Sequence, residues 1–91
     1  MSNFKPSITV LYFAAASTTV GLTSEVVTIP QSGLPLASLG DLLISLHPNT
    51  QLKKVLECSQ WSVDAEMVDD PEKLVLRGDE EVAVICPVSG G

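Results

Sequence analysis

The last six residues, Cys86-Pro87-Val88-Ser89-Gly90-Gly91, carry the most specific chemistry in this chain of 91. Pro87 fixes its own φ and lacks an N–H, so an ordinary ladder strand cannot run on through it. Six extended residues reach about 20 Å, far enough to enter another protein's active site. The two glycines have no side chains to obstruct a narrow channel, and they adopt φ/ψ values closed to other residues. A terminal carboxyl is ionised above about pH 4 and can act as a nucleophile toward an activated phosphate. A Gly-Gly end alone is equally a frayed terminus, so the residues before it must decide.

Elsewhere the supply of chemical groups is thin. His47, the one histidine, precedes Pro48 at an expected helix C-terminus, where the helix dipole favours an imidazolium. A capping or surface role is expected for it, because no motif sets a Ser or Cys nucleophile beside it. Cys58 and Cys86 do not form a disulfide framework, and one histidine without a C-x-x-C pair does not make a four-ligand zinc site. Such cysteine usage fits the reduced cytosol. Apart from Gly90-Gly91 the glycines stand singly, which excludes a phosphate-cradling loop. Adjacent carboxylates such as Asp69-Asp70 read as loop rather than as an acid/base dyad. The expectation is a non-catalytic interior that binds no metal and no cofactor by itself.

The elements that must position the tail follow from pattern. Residues 8–13 are β-branched and aromatic without a breaker, a strand expected near the sheet centre. Residues 17–24 are small and polar around Gly21 and suit a hairpin connection to a second strand at 25–29, closed by Pro30. After a loop with Gly33 between two prolines, Ser38 is the expected N-cap of a helix, with Asp41 near its positive end. Leu39, Leu42, Leu43 and Leu46 follow the spacing of a buried stripe, and His47-Pro48 stops the helix. Residues 52–58 suit a short second helix. Residues 61–67 alternate apolar and polar and read as one half-exposed strand. Asp69-Asp70-Pro71 turns, 74–76 is a short apolar stretch, Arg77-Gly78-Asp79 turns again, and 81–85 is the last strand. This order predicts an α+β domain over 1–85, with a helix on one sheet face and first and last strands free to pair in parallel, followed by a tail at 86–91.

Composition limits the partners. Hydrophobic residues make up 45% and charged residues 18%, within the range of a folded domain. A net charge of −6 provides no basic footprint, which excludes nucleic acid and disfavours an anionic membrane surface. Between 64 and 81 eight acids stand against Lys73 and Arg77, so this window holds the entire net charge. It reads either as a solvated face or as a docking surface for a basic partner. Residues 8–16 could pass for the apolar core of a secretory leader, but Lys5 is its one preceding charge and the run is rich in strand formers.

Residues 78–91, Gly-Asp-Glu-Glu-Val-Ala-Val-Ile-Cys-Pro-Val-Ser-Gly-Gly, resemble the C-terminal signature of the molybdopterin synthase sulfur-carrier subunits, the MoaD type of the ubiquitin-like MoaD/ThiS superfamily. In that pattern a Gly-Asp-Glu-Val-Ala strand entry leads to a Pro-Pro-apolar-Ser/Thr-Gly-Gly end. Residues 10–14 look like the family's first strand, 39–48 fit its helix, and 63–68 fit a later strand, so the resemblance spans essentially the whole chain. There are three departures. Cys86 replaces the first proline of the pair, the 78–82 turn has one extra acid, and Asp64 stands where Asn is usual.

The resemblance implies a ubiquitin-like β-grasp with a mixed sheet of four to five strands and one main helix on one face. It further implies that Gly91 is a covalent carrier. An ATP-using activating enzyme, an adenylyltransferase/sulfurtransferase, adenylates its carboxylate, and a sulfur donor converts it to a thiocarboxylate. ATP belongs to that partner. Pro87, Val88, Ser89 and Gly90 then thread into the large catalytic subunit of molybdopterin synthase, within a heterotetramer. Sulfur passes there to cyclic pyranopterin monophosphate, two loaded carriers being needed for each dithiolene. Phe13, Met67 and Ile85 align with the family's apolar contact residues, and Asp69, Asp70, Glu80 and Glu81 would rim the patch. Strand parity agrees for Phe13, which is out of phase with Ile8, Val10 and Tyr12. Alternatives left open are a sulfur carrier for thiamine or tRNA thiolation, a modifier joined to lysines through Gly91, and a β-grasp binding module with an inert tail.

Overall fold

Alternation builds the first strand. In the computed structural model, which describes residues 5–86, β1 (Ser7–Tyr12) turns Ile8, Val10 and Tyr12 inward, each at most 2% exposed. Ser7, Thr9 and Leu11 lie half-buried on the opposite side. The chain then forms α1 (Ala15–Val20), a short helix where only a hairpin connection was expected. Its Ser/Thr content conceals it, because local propensity there is weak. Tertiary packing holds it instead. Ala16 is fully buried, and left-handed Gly21 donates its N–H to the Ser17 carbonyl at 2.8 Å, closing the last turn. β2 (Ser24–Thr28) returns antiparallel to β1, so the helix is inserted in the loop of the expected hairpin.

β3 (Leu34–Pro35) leads directly into α2 (Leu36–Leu46). The helix starts before Ser38, which therefore sits inside the first turn and is not its N-cap. The reason is a backbone acceptor: the Leu36 N–H donates to the Leu74 carbonyl at 2.8 Å, so no side-chain cap is required. The buried stripe shifts with the start, to Leu36, Leu39 and Leu43, while Leu42 is half-buried and Leu46 is exposed. His47 ends the helix as expected. α3 (Leu52–Glu57) follows, with Leu52 fully buried.

The stretch expected as one strand is a hairpin, β4 (Gln60–Val63) and β5 (Glu66–Val68). Asp64 and Ala65 form its two-residue loop, with φ of 51° and 71°. Two positive φ angles in such a loop match the twist of antiparallel strands. The turn also reverses parity. Trp61 pairs with Val68 and Ser62 with Met67, so Met67 lies on the face opposite Trp61 and Val63. Ala65 is the residue least suited to this backbone. Ala65→Gly is expected to stabilise the domain by roughly 0.5–1 kcal/mol in chemical denaturation.

A 3₁₀ turn (Pro71–Lys73) is capped by Asp70, whose Oδ1 accepts the Glu72 N–H at 3.2 Å. β6 (Val75–Leu76) pairs antiparallel with β3 in a two-stranded ribbon, and β7 (Glu81–Ile85) completes the main sheet. Its order is β2-β1-β7-β4-β5, with β7 in the middle, parallel to β1 and antiparallel to β4. First and last strands thus pair in parallel at the sheet centre as expected, β7 in the middle and β1 beside it. The inward residues of β1 and β7 join Leu36, Leu39, Leu43, Leu52 and Leu76 in one core, placing α2 on a single face. This is the α+β arrangement the pattern predicted, with the β-grasp topology the resemblance implied.

Candidate functional site

Because β7 is the middle strand, its end is flanked on both sides. Tyr12 pairs with Val84 and Gln60 with Ile85, which sets Phe13 on one side of the tail root and the start of β4 on the other. The tail residues Pro87, Val88, Ser89, Gly90 and Gly91 lie outside the described residues. What the structure describes is the surface from which they depart.

That surface is the sheet face away from α2. The rows Val10–Val82–Val63 and Tyr12–Val84–Trp61–Val68 point to the core. The intervening row, Leu11–Ala83–Ser62–Met67, therefore points outward. Phe13 is 49% exposed and Met67 53%, while Ile85 is half-buried. Ala83 and Ser62, small and nearly buried, form a shallow floor between the larger Leu11 and Met67. Sequence reasoning missed two members of this face, Leu11 and Val26, the latter 71% exposed. Parity could have found both, since each is out of phase with the core residues of its own strand.

The acids expected at the rim divide. Asp69, Asp70 and Glu81 are exposed. Glu80 is not a free rim charge. Its carboxylate accepts the N–H groups of Arg77 at 2.8 Å and Gly78 at 2.6 Å, so the extra acid of the 78–82 segment fastens the turn instead. Gly78 is required in that turn. Its φ is 133°, and a Cβ would stand 2.9 Å from Pro6 Cβ. Asp64, at positive φ, accepts the Glu81 N–H at 3.0 Å and joins the hairpin loop to β7. Asn and Asp both tolerate that backbone conformation.

One polar cluster lies on the core side. Glu25 faces Val10 in register, and its Oε1 accepts the Tyr12 hydroxyl at 2.8 Å and lies 2.9 Å from His47 Nε2. His47 thus ties the end of α2 to β2. Burial, and then the Glu25 carboxylate, push the Tyr12 hydroxyl above its ordinary pKa, which keeps it a donor. Among the described residues no buried side-chain polar atom lacks a partner, so the cluster reads as structural. Glu25→Ala would strand the tyrosine hydroxyl and is expected to destabilise the fold by about 1–3 kcal/mol in denaturant titrations. Among the described residues, no group of three or more His, Cys, Asp or Glu is placed to hold a metal ion, and no helix is long and apolar enough to cross a membrane. Cys58 and Cys86 are both free thiols.

No protein-family model matches the chain. The molybdopterin synthase sulfur carrier subunit of Mycosarcoma maydis is 45% identical to it over 93 residues, covering 100% of both chains. The subunit of the same name from Homo sapiens is 34% identical, covering 92% of this chain and 93% of its own. Among solved structures, small archaeal modifier protein 1 of Methanosarcina acetivorans superposes with a TM-score of 0.76 at 16% identity, covering 98% of this chain and 100% of its own. A chain in the complex of subunits 1 and 2 of the molybdopterin-converting factor from Helicobacter pylori superposes with a TM-score of 0.63 at 16% identity, covering 93% and 99%. At such identities the structural likeness concerns the fold.

Proposed function

The chain belongs to the molybdopterin synthase sulfur carrier subunits, and from that premise we propose that Gly91 is the atom-carrying residue of a cytosolic sulfur relay. In this reading a Gly91 carboxylate oxygen attacks the α-phosphorus of ATP bound to an activating enzyme, and pyrophosphate leaves. A sulfur nucleophile at the oxidation level of hydrosulfide then adds to the acyl carbon and expels AMP, leaving a thiocarboxylate. The carrier contributes no cofactor to these steps, because ATP is held by the partner. The loaded end enters the large subunit of molybdopterin synthase in a heterotetramer and passes its sulfur to cyclic pyranopterin monophosphate. Water returns the carrier to a carboxylate, and two such deliveries complete one dithiolene.

The full-length relationship to named sulfur carriers is the observation that carries this reading. The geometry is compatible with it. The tail leaves from the middle strand, beside an outward apolar face bearing Phe13, Ile85 and Met67 and rimmed by Glu81, Asp69 and Asp70. Such a face suits a protein partner, its apolar centre supplying affinity and its charged rim speeding encounter. The Helicobacter complex joins two subunits of the molybdopterin-converting factor, which supports the large subunit as that partner. The test is reconstitution with activating enzyme, ATP, a sulfur donor, large subunit and pterin precursor. Molybdopterin should form only when all are present. Lysine conjugates of the chain without molybdopterin would instead identify a protein modifier.

A further inference from the structure

We infer that Cys86 is a positioning residue for sulfur transfer, because its thiol clasps the root of the tail to Ser59 and to the Phe13 carbonyl. This inference rests on the sulfur-carrier reading. Cys86 immediately follows β7, and its Sγ lies 3.4 Å from Ser59 Oγ and 3.7 Å from the Phe13 carbonyl oxygen. The proton inventory fixes the direction of the second contact. A carbonyl only accepts, so the thiol donates to Phe13. Ser59 Oγ in turn donates to the Val55 carbonyl at 2.6 Å, which ties the contact to α3. The Cys86 sulfur thus makes two polar contacts, donating to Phe13 and meeting Ser59 Oγ, and alanine has nothing to replace either.

The clasp links the tail root to α3 and to the segments that flank β4 and β1. Val55 belongs to α3, Ser59 precedes β4, and Phe13 follows β1. Beyond it, Pro87 has no N–H to give to a neighbouring strand. Cys86 is thus the last of the described residues before the reactive glycines, and its side chain holds the root. A carrier with a loosened root still presents its apolar face to the large subunit. It aims its thiocarboxylate less well, however, and small misplacements of a reacting group are costly in rate.

The experiment compares full-length wild type, Cys86→Ala, Cys86→Ser and Ser59→Ala, each loaded beforehand to the same thiocarboxylate content. Single-turnover sulfur transfer in the large subunit is measured over a range of carrier concentrations, with a thermal melt of each variant alongside. Cys86→Ala should lower the maximal transfer rate about fivefold, the scale of one net hydrogen bond, while the half-saturating concentration stays within about twofold. Cys86→Ser retains a donor and should recover most of the rate. Ser59→Ala, which removes one of the two contacts, should fall between. The inference is overturned if Cys86→Ala transfers as fast as wild type, if Cys86→Ser is as slow as Cys86→Ala, or if the loss appears only in half-saturation. One of these patterns in the variants, with a wild type that loads and transfers sulfur, contradicts the clasp alone. Wild type that transfers no sulfur overturns the carrier reading, and the clasp with it.

Discussion

Deleting Gly91 is expected to abolish molybdopterin formation while the fold melts as before. The deletion does not remove the terminal carboxylate but moves it one residue back, by about 3.5 Å along an extended chain. Attack on the α-phosphate and delivery inside the large subunit both demand near-attack geometry, and a displacement of that size costs orders of magnitude in rate. It also replaces the last glycine with a terminus at Gly90 preceded by Ser89, putting a side chain where the channel must be narrow. The core ends at β7, so stability should change by no more than roughly 0.5 kcal/mol. Turnover and thermal melts on the same sample separate the two quantities. Normal synthesis by the shortened chain would refute a carrier role for Gly91.

Phe13→Ala should produce the second large effect, weakening binding to the large subunit by about 1–2 kcal/mol, roughly a five- to thirtyfold rise in Kd. An aromatic ring left 49% exposed next to the tail root is the natural anchor of an apolar docking face. The same exposure limits the cost to folding. A fully buried phenylalanine truncated to alanine loses about 3–5 kcal/mol, whereas Phe13 should lose about 1 kcal/mol or less. The substitution also spares the Phe13 carbonyl, so the contact with Cys86 is kept. Titration of the large subunit beside a urea melt decides the matter. Unchanged affinity together with a large stability loss would make Phe13 a core residue and remove it from the docking face.

How much of this was legible beforehand varied with how local the cause was. β1, β2, β7, α2 and α3 were readable because alternation and leucine spacing report which side is buried. Phe13 was placed outside the core by parity with Ile8, Val10 and Tyr12, and the structure leaves it exposed. The failures all have non-local causes. α1 is held by packing rather than propensity. The start of α2 is set by the Leu74 carbonyl, an acceptor 38 residues from Leu36 in sequence. The 61–67 alternation concealed a hairpin because Asp64 and Ala65 carry no glycine signal, although both adopt positive φ. Glu80 looked like a surface charge until its carboxylate was found on two backbone N–H groups. His47 read as a simple cap, since nothing in one dimension brings it to Glu25. The tail chemistry was legible for the opposite reason: it lies in contiguous residues whose types suffice to state it.

The most direct test of the central claim is the intact mass of the full-length chain after incubation with ATP, its activating enzyme and a sulfur donor. The carrier account predicts a gain equal to one sulfur replacing one oxygen, confined on fragmentation to Gly91, dependent on ATP, and lost again when large subunit and pterin precursor are added. A chain whose C-terminal fragment keeps the mass of an unmodified carboxylate under all these conditions would contradict it.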